Sequence, residues 1–498
     1  MKSFIFNSKF FFTFGALMFL ITAWNSSGYF HGDEHYQILE FARWKLGLTL
    51  AESLPWEFNE QIRPTLHPSL AYIFLKAAFW LNIENPYTQT FLLRLFTGCF
   101  ALFSILFFWK ESKGQFESRQ LQILYLALFF LLWFMPFLSV RFSSETLGGL
   151  WLLIGLGFFY DDKRRARFLF MGLCFGLSFL FRYQMALAIL GFGLWLLLIQ
   201  KTPFRQLVTM TFGFLAVCGI GFLVDSWFYN ELVFTPWNYF YETILNTESP
   251  SFGSAPMHYY LFSIFSYSGF WVGFPFLVFL FWLLIKKPKT MVLWPIFFFI
   301  LGHSLVPHKE IRFLFPIAFL LPLFFMQGLR GFKESYPLKR LEKPLLAYAY
   351  FFLGLNLLGL VAMGFKPASI GRMEITEMIH ESQTSERIHL IYGEDANPYD
   401  PWGGLYAHHY LPEGIQETEI KSLCDLDDSK LMPSAQNFLV VTKHQLNNPE
   451  CIEVLEGMKT EKLGQSMPAW IERVNIWFSN GRLLVLYKLE PTQGLKIF

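Results

Sequence analysis

FLLRLFTGCFALFSILFFW, residues Phe91–Trp109, carries a single charged side chain, Arg94, in nineteen positions. Runs of that length are bilayer spans, because in hydrocarbon every backbone amide must be bonded within its own helix. Leu121–Leu138 and Met291–Val306 repeat the pattern. Across the 498 residues, 54% are hydrophobic, 62 are Phe and only 16% are charged, whereas soluble domains carry about a quarter charged residues. The formal net charge of +2 says little; where the charges sit says more. The composition excludes a string of soluble domains and predicts a polytopic α-helical membrane protein.

Cytoplasmic loops collect Lys and Arg. Basic clusters stand at Lys2/Lys9, Lys110/Lys113/Arg119, Lys163/Arg164/Arg165/Arg167, Lys201/Arg205, Lys286/Lys287/Lys289 and Arg330/Lys333/Lys339/Arg340/Lys343. With these inside, the outer face receives residues 29–91, the turns at Arg141 and Arg182, residues 225–269, the turn at 307–312 and everything after about residue 365. That predicts about eleven spans. Ser69–Ile83 is apolar, but it is short and contains Lys76. Counting it as a span would put Lys110–Arg119 outside, so it reads as a helix in the outer interface. Phe168–Phe181 is short for a span and suggests tilting or local thinning. Lys2 and Lys9 precede the apolar stretch Phe10–Ala23 as in a signal peptide. No run of small residues before Gly28 makes a cleavage site, and the stretch reads as a retained first span.

After Gly364 the sequence turns mixed and polar. Met373–Glu381 reads as a helix, Ile388–Tyr392 and Phe438–Thr442 as buried strands, and Arg482–Leu489 as a last strand. The division expected is therefore a transmembrane domain, 1–364, and a small extracytoplasmic α/β domain, 365–498. Cys99, Cys174 and Cys218 lie in apolar runs as small hydrophobes. Cys424 and Cys451 pair if the C-terminal part sits in an oxidising compartment, and stay free otherwise.

Three outer-face stretches carry chemistry. The first is Tyr29-Phe30-His31-Gly32-Asp33-Glu34-His35-Tyr36-Gln37, where two carboxylates sit at a membrane boundary that makes them costly to desolvate. Asp33 as the N-cap and Glu34 in the first turn of an amphipathic helix bearing Ile38, Leu39, Ala42 and Leu46 would explain both. Capping and catalysis are compatible, since a capped carboxylate has a fixed direction. A zinc site from His31, Asp33 and His35 matches no usual ligand spacing. The second is His308-Lys309-Glu310-Ile311-Arg312-Phe313, basic where the positive-inside bias opposes basic residues. A lipid-phosphate leaving group needs cationic donors, and His308, Lys309 and Arg312 supply them while Glu310 orients one; an interfacial turn whose basic side chains snorkel to headgroups is the plainer reading. Arg94, Arg141 and Arg182, taken singly, read as ordinary interfacial arginines. The third, 225–269, is aromatic and free of Lys and Arg. It suits an interfacial helix-loop or a cleft that stacks on sugar rings through Trp237, His258 and Tyr259.

Together these stretches resemble the inverting mannosyltransferases of glycosyltransferase family 22, which have the GT-C fold and use dolichyl-phosphate mannose. The family's His-Pro-Asp-Glu signature is similar to His31-Gly32-Asp33-Glu34. Its Trp-Glu…Arg-Ser…Pro element looks like Trp56-Glu57, Arg63-Pro64 and His67-Pro68. Its His-Lys-Glu-x-Arg-Phe motif stands intact from His308 to Phe313. Asp225–Tyr260 is similar to the glycosylphosphatidylinositol-anchor enzymes in particular. Gly32 in place of Pro, and Arg182-Tyr183-Gln184 in place of Arg-Pro-Thr, are departures that bear on the acceptor.

The resemblance implies a polyprenyl-phosphate hexose donor, mannose first among hexoses, and a glycan or glycolipid acceptor. It places Asp33 as general base with Glu34 orienting acceptor or base. His308, Lys309, Arg312 and Arg63 bind the donor phosphate, with His31 and Glu310 in support. The expected setting is the endoplasmic reticulum membrane or a bacterial inner membrane, with a lumenal or periplasmic site. Membrane lipid is a partner and nucleic acid is not. A lipid-linked-sugar transporter or flippase would need charges deep in the spans, and most charges here lie at loop edges. A receptor or scaffold would leave Asp33-Glu34 and the 308–313 cluster unexplained. A monophosphate leaving group with this cationic surround needs no divalent metal, so no cofactor is expected. Transfer measured on membranes is accordingly expected to be insensitive to EDTA, and loss of activity restored by a divalent ion would contradict this.

Overall fold

The computed structural model describes residues 7–246, 253–336, 342–369, 371–385, 387–401, 403–474 and 483–491. Lys2, residues 247–252 of the aromatic stretch, Lys339, Arg340 and Arg482 of the sequence reading lie outside them. The chain divides into two compact units. One comprises Met1–Ala23, Glu57–Leu70 and Leu93–Gly364; the other comprises Trp24–Trp56, Ala71–Leu92 and Phe365–Phe498. The second unit thus takes up two pieces of the first outer loop that the sequence division assigned to residues 1–364. The cause is a shared core: Tyr29 and Tyr87 are buried in one cluster with Met373, Ile379, Leu390, Tyr399 and Tyr410.

The first unit is helical. Among the described residues, Pro86–Gln115, Phe204–Tyr229 and Lys343–Gly364 are long and apolar enough to cross a bilayer. Ile311–Ala318 and Leu321–Ser335 make a further candidate as a pair bent by 71°. Pro322 stands in the first turn of the second member, a position proline tolerates while it blocks continuation from the preceding helix. Arg119–Leu131, Arg167–Phe181, Met185–Leu198, Phe270–Lys286 and Leu293–Leu305 are apolar but run only 10–17 residues. Leu66–Trp80 forms a 15-residue helix over most of the stretch read as interfacial.

Small residues set one close helix crossing. A Cβ at Gly172 would lie 1.9 Å from the Met210 carbonyl oxygen, and one at Gly213 would lie 2.6 Å from that of Leu169. Glycine therefore lets Arg167–Phe181 and Phe204–Tyr229 meet backbone to backbone. Lipid tails are as apolar as the helices, so this close packing supplies the attraction that hydrophobic burial supplies in water.

In the second unit five strands form one sheet: β1 (Ile388–Gly393), β2 (Gln416–Ile420), β3 (Gln436–Thr442), β4 (Lys459–Gln465) and β5 (Leu484–Glu490). Their order is β2-β1-β3-β5-β4. β1 runs parallel to β2 and β3, and β5 runs antiparallel to β3 and β4. The strands legible in the sequence are the three central ones. Leu390, Phe438, Val440 and Leu486 face the cluster with Tyr29 and Tyr87. Ile391, Leu439, Val441 and Leu489 face a second cluster with Ile420, Cys451 and Leu455. Both faces being covered, β1 and β3 read as continuous apolar runs. β2 and β4 are edges, and their sequences, Gln-Glu-Thr-Glu-Ile and Lys-Thr-Glu-Lys-Leu-Gly-Gln, are charged as edges tend to be. That composition hid them. Helix Arg372–Glu381 lies where a helix was expected. Before it, Gly28 adopts φ +78° with the Met373 Cγ 2.6 Å from where its Cβ would stand. Only glycine meets both demands.

Cys424 and Cys451 are joined, with S–S 1.96 Å and Cα–Cα 4.4 Å, across 27 residues of sequence. Cys451 is buried in the second cluster. In the chain-entropy account a loop of this length contributes about 3–4 kcal/mol. Cys451→Ser is expected to destabilise the second unit by roughly 2–4 kcal/mol. Denaturant unfolding of the purified full chain should show the variant insensitive to reductant and the reduced wild type moved to the same midpoint. An unchanged midpoint in the variant would remove the crosslink from the stability of this unit.

Candidate active site

The acidic turn lies in the second unit. His31, not Asp33, is the N-cap of the short helix Gly32–His35: its Nδ1 accepts from the Asp33 amide at 3.3 Å. Asp33 is thus a first-turn residue, and the expectation that it caps is corrected. The helix starts two residues earlier than the polar pattern suggested, because an imidazole nitrogen takes the capping place. Glu34 reaches back, its Oε2 accepting from the Phe30 amide at 3.0 Å, so the backbone around Asp33 is fixed from both sides. The Asp33 side chain is about a quarter exposed, with Oδ1 3.4 Å from His31 Nδ1. Ile38, Leu39 and Ala42 are buried as expected.

The helix next widens into a π-turn over Tyr36–Glu40, a local form frequent at functional sites. In an α-helix, residues five apart differ by about 140° in direction. The wider turn brings His35 and Glu40 onto one side, and His35 Nε2 meets Glu40 Oε1 at 2.8 Å with both side chains 1% exposed. The same oxygen accepts from the His409 amide at 2.9 Å, and Thr49 Oγ1 donates to Oε2 at 3.2 Å. Burial alone would raise the Glu40 carboxyl; His35, Arg43 and the His409 amide overcome it and hold it at about 2. Burial, with Arg43 and His35 nearby, pushes the His409 imidazole down to about 3. His35 also stacks on Tyr410, with ring centroids 5.5 Å apart.

The basic stretch lies in the first unit. Arg312 makes a two-point bond to Glu310, with Nε–Oε2 2.7 Å and Nη2–Oε1 3.1 Å. His308 Nε2 lies 2.9 Å from Glu310 Oε1. Arg312 Nη1 also reaches Glu145 Oε1 at 3.3 Å, and Arg182 Nη1 meets the same oxygen at 2.7 Å. Both guanidinium carbons lie over the Phe313 ring, at 5.3 Å for Arg182 and 5.1 Å for Arg312, within cation–π range. Arg182, Glu145 and Arg312 are all buried. Arg182 is therefore no ordinary interfacial arginine. Sequence reasoning passed over Glu145 as well, although a lone carboxylate among the apolar residues that follow Phe137 was a signal.

Lys309 has a different place. Its Nζ donates to the carbonyl oxygens of Ala255 at 2.8 Å, Val306 at 2.5 Å and Pro307 at 3.4 Å. It joins the aromatic 253–269 stretch to the basic turn, as does the Ala255 amide bonded to Pro307 O at 3.0 Å. Arg63 pairs with Glu57 at 3.3 Å. Trp237 is 55% exposed. The His258 ring meets Phe262 at 5.6 Å and Tyr259 meets Tyr260 at 5.2 Å. Asp225 accepts from Thr65 N at 2.7 Å, Thr65 Oγ1 at 2.6 Å and Thr235 Oγ1 at 2.5 Å. It pins the segments bearing Thr65 and Thr235 to the end of the helix Phe204–Tyr229. No cluster of three or more His, Cys, Asp or Glu suited to a metal ion occurs among the described residues.

Residues 9–394 match the model of the Alg9-like mannosyltransferase family, glycosyltransferase family 22. The chain belongs to this family. GPI mannosyltransferase 3 of Candida albicans is 25% identical over 345 residues, 68% of this chain and 67% of that protein. Mannosyltransferase APTG1 of Arabidopsis thaliana is 26% identical over 58% of this chain and 53% of its own length. For GPI mannosyltransferase 3 of Drosophila melanogaster the values are 27%, 59% and 51%. The chain thus spans between about half and two thirds of the length of these three relatives. Among solved structures, ArnT from Cupriavidus metallidurans bound to undecaprenyl phosphate superposes with a TM-score of 0.53 at 11% identity, covering 95% of this chain and 97% of that one. Its apo state gives 0.50 at 12%. The likeness is one of fold and agrees with the expected GT-C architecture. The transporter reading finds no support in these family matches.

Glu40 and His409 both have folded-state values below their ordinary 4.5 and 6.5, so the folded unit binds fewer protons than the unfolded chain between the two values. Their stabilisation is complete above the unfolded value and is lost as pH falls towards the folded one. The second unit is expected to weaken from about pH 6.5 towards 3 through His409, and from about 4.5 towards 2 through Glu40. Thermal unfolding of His409→Phe should show a shallower decline over the upper window, and a parallel decline would argue against His409.

Proposed function

We propose that the protein is an integral-membrane inverting mannosyltransferase that moves mannose from a polyprenyl-phosphate donor to a glycan or glycolipid acceptor. The observation that carries the reading is the intact His308–Phe313 motif, folded so that Arg312 sits buried beside Arg182 on a shared carboxylate. Buried guanidinium groups match an anion that must be stabilised as it leaves, and the neighbouring fold is that of a protein holding undecaprenyl phosphate. Relatives named for glycosylphosphatidylinositol mannose transfer favour a glycolipid acceptor of related kind. The site faces the non-cytoplasmic side of an endoplasmic reticulum or bacterial inner membrane. The Cys424–Cys451 disulfide supports that side, since such bonds persist in oxidising compartments. On this reading the short apolar helices complete the count towards eleven crossings as tilted or bent elements.

In the mechanism proposed, Asp33 takes the proton of the acceptor hydroxyl as that oxygen attacks C1 of the donor hexose. The C1–phosphate bond breaks with inversion and the electron pair leaves on the phosphate. Glu34 and His31 hold the turn that directs Asp33. Arg312, with His308, Lys309 and Arg63 as further donors, neutralises the phosphate, and Glu310 orients Arg312. Trp237, His258 and Tyr259 serve sugar contacts. The chemistry calls for no metal. A positioned base contributes about 10²–10⁴-fold. Asp33→Asn is thus expected to lower transfer from radiolabelled polyprenyl-phosphate mannose to a lipid acceptor extract by at least about 100-fold, with abundance and membrane insertion unchanged. Near-normal turnover in that variant would take Asp33 out of the mechanism.

A further inference from the structure

Arg312 and Arg182 share a carboxylate oxygen but are not equivalent. Arg312 is engaged at three nitrogens, two on Glu310 and one on Glu145. Arg182 is held through one, Nη1, by Glu145 at 2.7 Å and Ser144 Oγ at 3.2 Å. Its Nε is buried with no hydrogen-bond partner. Folded proteins rarely leave a buried guanidinium donor unmet, and such a group calls for an explanation. Nearby, His303 is 4% exposed. Its Nδ1 bonds the Phe299 carbonyl at 2.9 Å, while Nε2 is buried and without a partner. A carbonyl only accepts, so Nδ1 carries the proton and neutral Nε2 is an acceptor. Phe313 ties the two together: its ring lies 5.3 Å from the Arg182 guanidinium carbon and 5.9 Å from the His303 ring. One unmet cationic donor and one unmet acceptor are the complement of an anion that also bears a hydroxyl group.

We propose that Arg182 is a donor-phosphate ligand aimed by Glu145, and that His303 Nε2 accepts a hydroxyl of the hexose on the same glycosyl phosphate. This rests on the lipid-phosphate-donor reading above and adds two substrate-binding residues and one positioning residue to it. Glu145 fixes the direction of Arg182 by holding Nη1, which leaves Nε for the phosphate. Arg312, oriented by its two-point bond to Glu310, anchors the other side of Glu145. Planar guanidinium geometry makes lysine a poor substitute in such a place.

The test is binding to the detergent-purified full-length chain, independent of turnover, with polyprenyl phosphate, inorganic phosphate and phosphatidic-acid vesicles as separate probes. Arg182→Gln and Arg182→Lys are expected to weaken polyprenyl-phosphate binding by about tenfold or more, and Glu145→Gln to do the same, with Glu145→Asp recovering part of the loss. His303→Phe is expected to keep polyprenyl-phosphate affinity within about twofold while weakening binding of the mannosylated donor about tenfold or more. If Glu145→Gln fails to fold, the Arg182→Lys result decides. Folded Arg182 variants that bind polyprenyl phosphate like the wild type overturn the inference and leave the donor reading standing. Wild-type protein with no affinity for polyprenyl phosphate overturns both. Equal, Arg182-dependent binding of phosphatidic acid or inorganic phosphate would assign the site to a headgroup or free phosphate and overturn the donor assignment.

Discussion

Glu145 Oε1 accepts from Arg182 at 2.7 Å and from Arg312 at 3.3 Å in a buried setting, and the buried ion pairs around the His308–Phe313 motif are organised around that shared atom. The three residues come from segments far apart in sequence: the start of Ser144–Tyr160, the end of Arg167–Phe181 and the turn before Phe315. A buried guanidinium is tolerated only when paired and hydrogen-bonded, and breaking such a pair from one side costs roughly 3–5 kcal/mol. The carboxylate therefore fixes where three helix ends meet. Phe313, lying beneath both cations, gives the motif's last residue a physical task.

A second constraint governs the other unit. The π-turn at Tyr36–Glu40 places Glu40 against His35, and the His409 amide completes the carboxylate's bonding. His409 comes from the C-terminal residues, as does Leu405, whose carbonyl accepts from Tyr36 OH at 2.7 Å. The acidic turn bearing Asp33 is thus built into the same folded body as the five-stranded sheet. The C-terminal residues thus hold the segment that follows Asp33 and Glu34.

The helical class was legible because apolar runs such as Phe91–Trp109 admit little else in a bilayer. β1 and β3 were legible because burial on both faces leaves apolar runs, and β5 because its buried first half, Leu484–Leu486, is apolar. β2 and β4 were not, because an edge strand needs only one partner and its charged residues resemble a loop. His308–Phe313 announced itself by basic residues in a turn that the charge pattern assigned to the outer face. Arg182 did not, because a lone arginine at a helix end usually only snorkels. Lys309 was legible as a cation, but one of the three carbonyl oxygens it bonds is brought to it from residue 255.

By itself the sequence determined the solvent in which this chain folds, the periodicity of its elements and the motifs that mark the family, since those depend on residue type and local spacing. Only the tertiary structure decided which ionisable groups meet. The pairing of Glu145 with Arg182 and Arg312, the meeting of Glu40 with His409 and the bond between Cys424 and Cys451 join residues 27 to 369 positions apart. A buried charge is stabilised by what packs around it, and no local pattern in a chain records that. The acidic turn and the basic motif were visible as residues; what holds each of them in place became visible only in the fold.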